Sequence, residues 1–432
     1  MGVERLAFLA SEYPPHVYGG LGTVVEALSR SIAAEGVEVV VFVPAVDGYT
    51  EPPPGVELSP VPVRSVASNE DFWLSYSEAA GESLRNFGRR FDVVHCHDWM
   101  TVLGALAARP ATRTPVAMTV HLPQSTTANV VMENIGLLGS DGVVVNSKAV
   151  RGELLGRGIR DGGRGWVDGR RRDRRDEITV IPNGVDLARF SPGAAPPHRQ
   201  RVLFAGRLVP QKAVDVLMRA FGAVLRRHPA ARLVIAGDGD QRLYLERLAR
   251  FLGVRQHVDF LGWRSPDELS ELYRSSMVTA VPSRYEPFGL VALEAMASGC
   301  PVVVGRVGGL VEIVEDDVSG FLVEPDDHLG LAGRLAALLS DRELAHATGT
   351  AARHRAEQFG WTTIARRTID LYEQLAARPV RTTIEAATLA RVLAPASSRL
   401  NTRVSRLLGG AGTERESDTE LEPDSPRGRD GR

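Results

Sequence analysis

Cysteine is nearly missing from this chain: two in 432 residues, Cys96 and Cys300, beside apolar runs in opposite halves. That excludes a disulfide-stapled fold and fits a reduced compartment. Neither charge sign is in surplus, since 51 Lys and Arg face 53 Asp and Glu for a net charge of −2. Nothing global therefore calls for nucleic acid or an acidic membrane as partner. No apolar run approaches the roughly 18 residues a spanning helix needs. The run Arg5 to Ala10 is also too short for a signal-peptide core, and Glu12 and two prolines follow closely. A cytoplasmic protein is expected. What is present is globular: 44% hydrophobic and 24% charged residues, in a chain long enough for two domains and a tail.

Short apolar runs alternate with helix-length segments, the pattern of parallel sheets wound with helices. Strands are expected at 5–10, 38–43, 92–96, 115–120, 142–146 and 178–181, several of them Val-rich as in strands covered on both faces. A helix is expected from Leu21 to Glu35, stopped by Gly36. Ser191 to Pro197 has linker composition. The pattern then restarts with strands at 201–206, 232–236, 257–261, 277–281, 301–304 and 320–323, and helices including 213–228 and 241–252. The expected fold class is α/β: doubly wound domains over 1–190 and 198–360, with ligands in the cleft outside the strands' carboxyl ends. Trp361 to Ala377 reads as an amphipathic helix, with Trp361, Ile364, Thr368, Leu371, Tyr372 and Leu375 on one face and Ile369 off it. Residues 378–432 read as a tail: one or two helices over 380–408, broken at Pro395, and disorder from about 409.

The segment Pro282-Ser283-Arg284-Tyr285-Glu286-Pro287-Phe288-Gly289-Leu290 carries the strongest chemical signal. A strand ends, a Pro/Gly loop follows, and a helix begins near Phe288 or Gly289, where free N–H groups make an anion site. Glu286 stands in the loop and Glu294 inside the helix, so the two carboxylates can reach different parts of one ligand. Taken singly, a paired core acid and a solvated one explain them as well. The whole string resembles the E-x7-E signature of the retaining family-4 glycosyltransferases, and the resemblance extends to about residue 377. It implies the GT-B architecture of two facing Rossmann-like domains, with 361–377 as a closing helix that crosses back to the first. It further implies that Glu286 holds hydroxyls of the donor sugar, Glu294 the nucleotide ribose, and the Gly289 and Leu290 amides the distal phosphate.

Gly206-Arg207-Leu208-Val209-Pro210-Gln211-Lys212 follows a strand and matches the family's G-R-L-x-x-x-K diphosphate site, where two fixed cations meet the charge of a departing diphosphate. The loop Ser11 to Gly22, with Gly19 and Gly20, resembles the first-strand loop that faces donor phosphate and acceptor. Val17 stands where starch and bacterial glycogen synthases carry lysine, and E-Y-P-P-x-V-Y-G-G is closer to maltose-1-phosphate synthases, though with Leu21 for their alanine. His95-Cys96-His97-Asp98-Trp99 and His121 invite a zinc reading, but no second ligand pair of suitable spacing lies near. The string resembles the H-x-H-D-W-x-T of glycogen-synthase-like members. By that resemblance His97, Asp98 and Trp99 shape the acceptor side, and His121 lies by the transferred sugar. Asp238-Gly239-Asp240 has the D-x-D form of a metal chelator elsewhere; here Gly237 turns the chain and Asp240 is expected to cap a helix. The Arg-rich stretch 165–177 reads as a solvated loop, with an anionic acceptor or membrane contact as the sharper alternative.

The expected reaction is glycosyl transfer from a UDP-, ADP- or GDP-sugar with retention. The leaving diphosphate takes the acceptor's proton, so neither a metal nor a cofactor is needed. The short Leu122–Gly142 stretch favours a small hydroxylated acceptor: a sugar, a sugar phosphate or a secondary-metabolite aglycone. The alternatives are a glycogen-type synthase, a nucleotide-sugar epimerase or hydrolase, and a silent binding protein.

Overall fold

The computed structural model describes residues 2–17, 19–63, 69–157, 164–167, 170–173, 178–193, 198–380, 389 and 392–408. Its first part runs β1 (Arg5–Leu9), α1 (Gly20–Ala34), β2 (Glu38–Pro44), β3 (Val56–Val61), α2 (Asn69–Asn86), β4 (Val93–His97), α3 (Trp99–Thr112) and β5 (Val116–Val120). It continues with α4 (Thr127–Gly139), β6 (Gly142–Val145), α5 (Lys148–Gly156), β7 (Arg164–Val167), β8 (Arg170–Asp173) and β9 (Ile178–Val180). The second part runs β10 (His198–Ala205), α6 (Val214–Leu225), β11 (Arg232–Ala236), α7 (Arg242–Phe251), β12 (Val258–Gly262), α8 (Pro266–Arg274) and β13 (Ser276–Val281). Then come α9 (Leu290–Ala297), β14 (Val302–Gly305), α10 (Leu310–Ile313), β15 (Phe321–Val323), α11 (His328–Ser340), α12 (Arg342–Glu357), α13 (Trp361–Ala376) and α14 (Ser398–Leu407).

Two parallel sheets result, ordered β3-β2-β1-β4-β5-β6-β9 and β12-β11-β10-β13-β14-β15. Both follow the Rossmann winding, with direction reversing between β1 and β4 and between β10 and β13. β4, β5, β6, β13 and β14 have every residue buried, because helices cover both faces. Each sheet accordingly has a buried apolar layer on either side.

Helix α13 follows the second sheet in the chain but packs on the first. Trp361, Ile364, Ala365, Tyr372 and Leu375 share a buried cluster with Leu6, Phe8 and Val25. Gly142 and Gly184 make room for it, since a Cβ there would lie 2.9 Å from Leu375 and 2.4 Å from Trp361. Beside it the chain crosses between the sheets twice, and the Val185 N–H donates to Phe359 O at 2.9 Å.

Several sequence expectations change. The edge strand β3 is not among the strands expected, because Pro60 breaks its apolar pattern; helix α2 is not either, although Trp73, Tyr76, Ala80 and Leu84 recur at helical spacing. The Arg-rich stretch, read as a loop, contains an antiparallel ribbon with Arg164 opposite Asp173 and Val167 opposite Arg170. Asp240 caps nothing: the residue before α7 is Gln241, and no side chain caps that helix. Helix α14 packs on α3, with Arg403 reaching Glu78, Asp71 and Ser75 of α2. Linker residues 194–197 and the tail from 409 lie outside the described residues.

Candidate active site

The motif loops all leave carboxyl ends of strands at or beside the two reversal points. In the second lobe, Gly206 follows β10 with φ +133°, a value that needs glycine. The next loop over packs against it backbone to backbone. A Cβ on Gly237 would lie 1.9 Å from Gly206 O, and one on Gly239 would lie 2.5 Å from Leu208 O. Asp238-Gly239-Asp240 is thus a brace under the Arg207 loop. Asp238 accepts the Gly239 N–H and sits 3.6 Å from Arg242. Among the described residues no group of three His, Cys, Asp or Glu side chains is placed to hold a metal ion.

Lys212 closes that loop, and its Nζ donates to Glu286 Oε2 at 2.6 Å. Glu286 is only 8% exposed and also accepts from the Ser283 hydroxyl at 3.1 Å. A cation and a carboxylate from loops 74 residues apart thus meet at the mouth of the cleft. Arg207 stands exposed at the start of the same loop. Helix α9 begins at Leu290, one residue after Gly289, which stands before it at φ +112°. No side chain caps this start, which leaves its first N–H groups without a side-chain partner, as an anion site requires. Glu294, inside α9, accepts the Tyr273 hydroxyl at 3.0 Å, and burial pushes its pKa up to about 7.

Two features of this loop have no motif to announce them. Arg284 clamps it to its neighbour, donating to both oxygens of Asp215, to Asp326 and to Pro210 O. The Gly309 N–H donates to Glu286 O at 2.9 Å, and a Cβ on Gly308 would lie 1.9 Å from the same oxygen. The run Val307-Gly308-Gly309 after a strand was the only trace of this in the sequence.

In the first lobe the histidines are a buried stack. His97 Nδ1 lies 3.0 Å from His121 Nε2, and the rings stack at 5.3 Å. Burial holds His97 well below the usual imidazole range and His121 down to about 4, so both are neutral at pH 7. His95 bridges Tyr372 of α13 and Thr119. His97, Asp98 and Trp99, expected to shape the acceptor side, stand back from the surface. They are 0%, 6% and 8% exposed, one layer behind the surface, because β4 is covered on both faces. His97 backs His121, Trp99 joins the core, and Asp98 accepts the His121 N–H at 2.7 Å. His121 itself stays partly accessible. Both cysteines are buried with thiols pushed up to about 12, far from nucleophilic.

The lobes meet around the Glu286 loop. A Cβ on Gly20 would lie 2.9 Å from Leu290 Cδ1, so Gly20 faces the α9 start, whereas a Cβ on Gly19 would meet nothing within 4 Å. Ser147 donates to Pro287 O at 2.7 Å, and Tyr285 to Glu153 Oε2 at 2.9 Å. Glu312 accepts the Lys148 and Ala149 N–H groups at 3.0 Å each, capping α5 from the opposite lobe. Gly20, Lys212, Glu286, Gly289 and Leu290 are therefore neighbours in one cleft.

Known proteins resemble this chain over most of its length. The family described as glycosyl transferases group 1 matches residues 189–355, and that described as glycosyltransferase family 4 matches 18–163. A glycogen synthase of Mycobacterium tuberculosis is 32% identical over 406 residues, covering 85% of this chain and 94% of that protein. A D-inositol 3-phosphate glycosyltransferase of Geodermatophilus obscurus is 36% identical over 389 residues, covering 82% and 83%. The sucrose-phosphate synthase of Thermosynechococcus elongatus superposes with a TM-score of 0.74 at 25% identity, over 87% of this chain and 99% of that one.

Proposed function

Because this chain belongs to the group 1 glycosyl transferases and moves a sugar from a nucleotide-sugar donor, we propose that it does so with retention, without a metal ion, and onto a hydroxyl of a small acceptor. The observation that carries the reading is the 2.6 Å pair between Lys212 and Glu286 beside the uncapped start of α9. Glu286 is oriented to receive donor-sugar hydroxyls. Lys212, Arg207 and the Gly289 and Leu290 amides surround the place where a diphosphate gains charge as the glycosidic bond breaks. Those groups replace a divalent ion. The departing phosphate oxygen takes the acceptor's proton, so the neutral His121 serves as a hydrogen-bond partner of the sugar and not as an acid.

The Geodermatophilus relative, named for an inositol phosphate acceptor, supports a small acceptor. So does the short β5–β6 connection, in which only 121–126 and 140–141 lie outside α4. The Mycobacterium relative, named a glycogen synthase, supports a glucan acceptor as the second reading. Replacing Lys212 or Glu286 by alanine should reduce turnover by orders of magnitude with the fold intact, since such contacts are worth about 3–4 kcal/mol in the transition state. Melting curves against UDP, ADP and GDP identify the donor, and transfer rates of the two variants test the site. Turnover within about tenfold of wild type sinks the assignment.

A further inference from the structure

The Glu286 loop and the His121 loop belong to different lobes, yet a continuous run of polar contacts joins them. Tyr285, beside Glu286 in the chain, donates its hydroxyl to Glu153 Oε2 at 2.9 Å. The other Glu153 oxygen accepts from Arg157, one turn further along the chain. Arg157 also donates to the carbonyl of Gln124 and lies 3.8 Å from Glu133. Glu133 accepts the Gln124 N–H at 3.0 Å. Both backbone groups of Gln124 are thus held by the Glu133–Arg157 pair. Three residues upstream, His121 is fixed at its N–H by Asp98 and at its carbonyl by Asn146.

The energetics point the same way. Glu133 is 2% exposed, and burial pushes its pKa up to about 7. A buried carboxylate is costly even when paired and hydrogen-bonded, and a fold that only had to close this spot has apolar residues available. The Tyr285 hydroxyl has a similar signature: it crosses the cleft to a carboxylate that in turn organises an arginine.

Resting on the reading of Glu286 as the donor-sugar carboxylate, we propose that Tyr285, Glu153, Arg157 and Glu133 are positioning residues that set the His121–Gln124 loop by reference to Glu286. The loop beside the transferred sugar then takes its final position only when the lobes meet. Four side chains in unbroken contact give the coupling a physical path.

Amide hydrogen exchange on the full chain tests this without any acceptor. Tyr285→Phe, which removes one hydroxyl, should speed exchange of the 121–126 amides severalfold although the substitution lies in the other lobe. The melting temperature and exchange elsewhere should stay unchanged. With saturating donor, Tyr285→Phe and Glu153→Gln should each lower kcat about tenfold, leave the Kd of the free nucleotide diphosphate unaltered, and in combination be no worse than either alone. Unchanged exchange at 121–126, faster exchange throughout, or losses that multiply would each overturn the relay. Full activity of Glu286→Ala would instead overturn the site reading, and the exchange result would still stand on its own.

Discussion

Glu294 is the residue whose ionisation is most exposed to test. Burial raises its carboxyl from 4.5 to about 7, the Tyr273 hydroxyl lowering it only in part. The fold therefore favours the protonated form, so the stability this group contributes is full below about pH 4.5 and is lost as pH rises through about 7. On the reading that Glu294 accepts ribose hydroxyls, the ionised form binds better, so binding runs the other way: calorimetry should show nucleotide diphosphate affinity rising from pH 6 to 8. Glu294→Gln should flatten that rise; an equally steep rise in the variant would place the titration elsewhere. The brace beneath the Arg207 loop gives a second test at this scale. Alanine at Gly237 meets a carbonyl oxygen at 1.9 Å with φ at +155°, and should cost stability by several kcal/mol and abolish transfer. Alanine at Asp238 or Asp240 should leave transfer nearly intact. The opposite ranking in melting and rate measurements would restore a chelating role for the two aspartates.

Among the elements, α13 is placed to decide whether the fold holds. It fills one face of the first sheet, and the Tyr372–His95 contact ties it to β4. Chains truncated after 408 and after 360 should behave oppositely: the first melting and turning over like the whole protein, the second failing to fold. A chain ending at 380 keeps α13 but loses α14, with Leu393, Val404 and the Arg403 contacts to Glu78 and Asp71, and should melt several degrees lower. The α13 face was legible in advance because one helix buries one stripe; Ala365 was the buried member overlooked, being too small to mark a pattern. Strand β3 was illegible for a related reason, since an edge strand with a proline leaves no alternation to follow.

For the whole molecule, the reading of a metal-free diphosphate site predicts that transfer survives EDTA. Loss of activity restored by magnesium or manganese would reverse it. The site loops were visible in the sequence because a loop at a strand's carboxyl end advertises itself by glycine, proline and charge over a few residues. Partners that come together only in space were not: Arg284 and Asp215 are 69 positions apart, and Glu312 and Lys148 are 164 apart. The burial of H-x-H-D-W was illegible for the converse reason, since a strand end reads the same whether or not a helix covers it. The paired crossings between the lobes carry one more consequence. Val185 and Gly360 lie side by side as a parallel bridge, and the chain passes from lobe to lobe at both. Two adjacent straps work as a door hinge does: they let the leaves swing about one line and resist shear or twist. A single protease cut in either strap leaves the leaves joined by the other, so a nicked molecule should still run as one particle on a sizing column and still open and shut.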